Sequence, residues 1–205
     1  MPSTVAEKSH TRDRWIALYI GGLSVVLAIC VLGGDNAAKQ ASSMNIEAAN
    51  TWAFYQAKNM RRHVLRVQID ELEILLATEP AMSDAARQII SNRIAEYRKQ
   101  EALLTSEPAT GEGLDELFTR GKSLEAQRDL AREQDPYFDN GQALLQIAIV
   151  LASVAIVSGG SLALVASSLI GLAGAALTVN GFLLGAPDGT QLSAQILTEL
   201  SRFVN

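Results

Sequence analysis

The sequence predicts an all-α membrane protein. It has one N-terminal transmembrane helix, a long-helix and helical-hairpin extramembrane domain of coiled-coil-like character, and a C-terminal transmembrane helical hairpin. Three observations predict this. The chain of 205 residues carries 17 basic and 22 acidic side chains, yet none falls in 15–34 or in 140–187. The segment between is rich in helix formers and holds no Gly or Pro from Asp35 to Glu79. Its apolar residues recur at helical spacing.

The averages hide this division. Hydrophobic residues make up 48% and charged residues 19%, with a mean hydropathy of +0.15. The two charge-free stretches hold about 68 residues, and the other roughly 137 carry every charge at a density of about 28%, normal for a soluble helical domain. The net charge of −5, with no strongly basic stretch, excludes nucleic acid as a default partner. Cys30 is the only cysteine, which excludes a disulfide scaffold.

Residues 1–14 form a polar N-terminal tail with Lys8, His10, Arg12 and Arg14. Residues 15–34 form the first transmembrane helix. Its apolar core, Trp15 to Leu32, is about 18 residues, the lower end for a hydrocarbon layer of about 30 Å. Trp15 and Tyr19 sit where aromatic rings favour the interface. A cleaved signal peptide shares the basic start, but the run is long for its apolar region and no Ala-x-Ala site closes it. A lipoprotein signal would use Cys30, behind an Ile29 that is larger than such signals place there. A retained span is the favoured reading, with Cys30 a small apolar residue in it.

Residues 35–138 read as the extramembrane helical domain. Leu65, Ile69, Leu72 and Leu76 make an amphipathic stripe on its long first helix. Trp52, Phe54 and Tyr55 point in different directions by helical phase, so they cannot all enter one seam. Pro80 stops this helix, and Ser83 caps the next, with Asp84 in its first turn. Pro108 and Gly111 end that second helix. The strings Leu75 to Ala81 and Leu103 to Ala109 look alike, as two helices ending on the same punctuation. A third helix spans about Leu114 to Gln134, with Leu114, Leu117, Gly121 and Leu124 at 3–4 spacing, continued by Arg128 and Ala131. Asp135-Pro136-Tyr137-Phe138-Asp139 is expected to break it, its two aromatics anchoring at the headgroups.

The second charge-free stretch, as one helix, would run about 70 Å, more than twice the bilayer core. It must turn, and Gly159-Gly160-Ser161 is the break. This gives transmembrane helices over 142–158 and 162–185, side by side. Ala163, Ser167, Gly171 and Ala175 recur every four residues and are the helix-packing candidates, since small residues let helices approach closely in lipid. Gln146 and Asn180, with Gln142, are the polar residues inside the stretch. They bond a neighbouring helix or sit at the interface; lining a path is the sharper alternative. After Pro187-Asp188-Gly189, residues 190–204 form an amphipathic C-terminal helix with Leu192, Ile196, Leu200 and Phe203 on one face.

No motif for chemistry is present. His63 has Asn59 and Val67 at its i±4 positions, so no metal-ligand pair stands there. There is no phosphate-binding loop, nucleophile elbow or zinc-protease helix. The carboxylates are spread among Arg and Lys on helix faces, and Lys58, Arg61, Arg62 and Arg66 read as a solvated basic face. No catalytic, cofactor-binding or metal-binding residue is assigned, and no cofactor is expected.

The stretch Ala49 to Asn59 (ANTWAFYQAKN) resembles the signature of a bacterial membrane family, the domain of unknown function 4337. So do Asp135 to Asp139 leading into Leu144 to Val154, and Asn180-Gly181-Phe182. The resemblance covers roughly residues 15 to 185. It implies the same layout of one span, a helical segment and a closing hairpin. It implies no activity, and the extension after Ala186 is atypical for it.

Orientation signals conflict. Three basic residues before the first span favour a cytoplasmic N-terminus, whereas Arg128 and Arg132, opposite a charge-free turn, favour a cytoplasmic helical domain. The balance tips to the N-terminus inside. The expectation is a non-enzymatic, multi-pass protein of the bacterial inner membrane. It would be a structural, assembly or accessory subunit that oligomerises, or binds a membrane-protein partner, through its helical domain, with membrane lipids as its surroundings. The alternatives are a sensor or adaptor with a helical-bundle input domain, and a small channel or transporter subunit built on the hairpin with Gln146 and Asn180.

Overall fold

A computed structural model describes residues 3–185, with side chains from residue 12 on. The C-terminal helix expected over 190–204 lies outside the described residues, as does the His10 side chain. Among the described residues there are four helices and no strand: α1 (Ser3–Thr78), α2 (Asp84–Thr105), α3 (Leu114–Ser158) and α4 (Ser161–Leu184). Three of them, α1, α3 and α4, are long and apolar enough to cross a membrane.

The chain divides into two compact units. The described residues up to Ser42, with those from Arg128 on, form the first unit; Ser43–Gln127 forms the second.

One expected break is absent, and α1 is a single uninterrupted helix. The tail over 1–14 is helical from Ser3, and α1 continues through Gly33 and Gly34 to Thr78. These glycines mark a close approach. A Cβ on Gly33 would stand 2.5 Å from the Phe138 ring and 2.9 Å from Phe182. The correction concerns 135–139. The helix does not stop there: α3 runs on with Pro136 inside it. Proline removes one helical N–H and crowds the preceding turn. Packing and side-chain bonds offset that cost. Ala131 and Phe138 are buried on either side of it, Gln134 Nε2 donates to the Gly181 carbonyl (3.1 Å), and Asn140 Nδ2 donates to the Pro136 carbonyl (2.7 Å). Phe138 is therefore no headgroup anchor. Its ring is 2% exposed and meets Phe182 edge to face at 4.9 Å.

The second unit obeys its punctuation. α1 ends at Thr78, two residues before Pro80. Ser83 accepts from the Ala86 N–H (3.3 Å) at the start of α2, with Asp84 in the first turn. Gly111 takes φ +70° in the connection to α3, a conformation that favours glycine. Glu116 closes this connection: Ser106 Oγ donates to its carboxylate at 2.7 Å and the Glu107 N–H at 3.2 Å.

Candidate functional site

The first unit is held by a seam of small residues. α4 buries Ser167, Gly171, Gly174, Thr178 and Gly181, alternating four and three residues apart. The sequence candidates Ala163, Ser167, Gly171 and Ala175 step by four throughout. Ser167 and Gly171 lie in the buried seam, and Ala163 and Ala175 are half-buried at its margins. Helical geometry accounts for the difference. Each step of four overshoots a turn by about 40°, so a run of fours drifts off the contact face, whereas alternating fours and threes tracks it.

Across the seam, α3 presents Gly141, Leu145, Ala148, Ala152 and Ala155, all buried. Ser167 Oγ donates to the Ala148 carbonyl (2.7 Å) and shares a hydrogen bond with the Tyr19 hydroxyl (3.3 Å). One serine thus ties α4 to α3 and α1 together. A Cβ on Gly174 would stand 3.0 Å from the Gly141 carbonyl, so the two backbones meet almost directly there. Cys30 is fully buried, and its Sγ donates to the Phe138 carbonyl at 3.2 Å. At the far end, Gly159 turns with φ +67° and its carbonyl accepts from Arg12 Nη1 (2.9 Å).

Gln146 and Asn180 are not brought into this interior. Both are exposed, and among the described residues neither has a hydrogen-bond partner.

The second unit has an aromatic and ionic interior. Trp52, Tyr55 and Phe118 form one cluster, with Trp52 edge-on to each of the other two at 5.6 Å. Trp52 Nε1 donates to Glu125 Oε1 (3.0 Å), and Gly121 lies beneath the ring, where a Cβ would come within 2.9 Å. Phe54 is 43% exposed on another side of α1, as helical phase requires. The basic group is largely engaged. Lys58 is buried, donates to the Glu112 carbonyl and stands 3.9 Å from Glu107. Arg62 donates to Asn59, and Arg66 pairs with Glu101. Arg61 remains exposed beside an open cleft of about 430 Å³ that Leu65, Leu103 and Leu104 also line. His63 is exposed.

Sequence reasoning missed Cys30, Phe138, Gly174, Thr178 and Gly181 as packing residues. The alternating spacing of small residues along α4 was the signal for the last three. The contacts of Cys30 and Phe138 cross more than a hundred residues and left no local signal.

The arrangement can pack helices closely and present apolar side chains on its outer surface. No curated protein and no solved structure matches the chain. A family model does match, over residues 12–184, and its description is Domain of unknown function (DUF4337). That match takes in all three apolar helices as well as the whole second unit, and the chain belongs to this family.

Proposed function

We propose that the chain is a non-enzymatic, multi-pass protein of the bacterial inner membrane, a structural or accessory subunit that assembles through its helical segment over 43–127. The observation that carries this is the surface of the second unit. Its charge pattern is that of a solvated domain, yet Ile46, Met60, Ile74 and Ile89 are each 59–70% exposed. Ile46, Met60 and Ile74 share one stripe of α1, each fourteen residues from the next, and a continuous apolar stripe on a charged helical unit supports a protein-binding surface. The length and apolarity of α1, α3 and α4 support the membrane setting. Arg12 and Arg14 before the first span support an N-terminus on the cytoplasmic side.

Purification in mild detergent, followed by mass determination and identification of retained proteins, tests the reading. A homo-oligomer or a stably retained partner supports it; a strict monomer that retains nothing sinks it.

A further inference from the structure

Ile46, Ala53, Met60, Val67 and Ile74 recur every seven residues along α1, and every one of them is exposed. Four residues after Ile46 comes Asn50, and four after Met60 comes Val64, both exposed as well. The alternation of four and three is that of a coiled-coil seam. It spans four heptads and about 42 Å, within the length at which such a pattern specifies a helix pair. The opposite side of the same stretch is where α1 buries Ala48, Thr51, Lys58 and Ile69 within its own chain. So α1 carries two seams, and only one is filled.

We infer that the open seam is the contact with a second copy of this chain, as a parallel, in-register α1–α1 coiled coil. The inference deepens the assembly reading above and rests on it. Three features select a second copy over an unrelated partner. A heptad seam needs knobs and holes of its own period, and an identical helix supplies them. Asn50 stands at the seam position where an amide, donor and acceptor at once, pairs with its own counterpart across a two-fold axis and fixes parallel register. And copies anchored in one membrane meet at high local concentration, with their chains entering from the same side. Glu71, also exposed and in the seam, is its one charge, near the far end.

Disulfide trapping in the full chain, in its membrane, decides this. Cys30, the native cysteine, is buried and serves as background. Met60→Cys is expected to run as a covalent dimer on mild oxidation. Lys99→Cys, exposed on α2, is expected to stay monomeric, as is the parent. Met60→Asp with Val67→Asp is expected to abolish the non-covalent dimer with helix content retained, and Glu71→Leu to raise the dimer fraction. A monomeric Met60→Cys chain, or equal trapping at Lys99→Cys, overturns the inference. If that monomeric chain still retains a different protein in detergent, the assembly reading stands and only the second copy falls. If it retains nothing, both fall. Release of the chain by alkaline carbonate overturns the membrane setting alone, and the trapping result decides the inference either way.

Discussion

Gly121 is the residue where a single methyl has the clearest consequence. Its Cβ would lie 2.9 Å from a Trp52 ring that Glu125, Tyr55 and Phe118 hold on three sides, so the ring cannot simply turn away. Overpacking of this kind costs about 1–3 kcal/mol, and the helix propensity gained from glycine to alanine returns up to about 1 kcal/mol. Gly121→Ala is therefore expected to destabilise the second unit by about 1–2 kcal/mol net, read from Trp52 emission during denaturant unfolding in a Trp15→Phe background. Glu116 gives the pH dependence at the same scale. The Ser106 hydroxyl, and after it the Glu107 N–H, hold its carboxyl below the ordinary value of 4.5. A group depressed on folding contributes stability that is present above its unfolded value and lost as pH falls through the folded one. The second unit is expected to loosen below pH 4.5, and Glu116→Gln to flatten that limb; an unchanged acid limb in the variant counts against the assignment.

Among the elements, α3 shows best what local reading sees and what it does not. Gly159-Gly160 ends α3 and opens α4 where adjacent glycines predict, because a turn at φ +67° is a property of the residue itself. Pro80 with Ser83, and Gly111, are legible for the same reason. Pro136 misleads because its cost is local while the compensation comes from Gly181 and Phe182, more than forty residues away. The role of Gly33 and Gly34 left no local sign either, since their tenant, Phe138, is a hundred residues distant. Pro136→Ala restores a helical N–H at a position where proline costs about 3 kcal/mol in a free helix. It is expected to raise thermal stability in detergent and to slow amide exchange over 132–137. Gly174→Leu is the opposite case. Its side chain would meet the Gly141 carbonyl and Leu145, forcing α4 away from α3. The expected outcome is a lower melting temperature in detergent with little change in the Trp52 signal of the other unit.

At the scale of the molecule, the two tryptophans report on two surroundings. Trp15 is 69% exposed on the apolar part of α1, and Trp52 lies inside the aromatic cluster of the second unit. In reconstituted vesicles, brominated lipids are expected to quench Trp15 strongly and Trp52 hardly at all. An unquenched Trp15 removes the first unit from the bilayer, and equal quenching of both overturns the sheltered setting of Trp52.

The bond from Arg12 to the Gly159 carbonyl carries a further consequence for the same unit. It puts the α3–α4 turn, itself without charge, at the same end as Arg12 and Arg14, whose two positive charges outnumber the one negative charge of Asp13. The other end carries Asp35, Asp129, Glu133, Asp135 and Asp139 against Lys39, Arg128 and Arg132. The three apolar helices thus carry a net positive charge at one end of the first unit and a net negative charge at the other. An energised membrane, negative inside, acts on such an arrangement with about 2.3 kcal/mol per charge for each 100 mV. In such a membrane the positive end is expected at the inner face, with transmembrane voltage at the moment of insertion favouring that orientation. Arg12→Glu with Arg14→Glu reverses the sign of that pull.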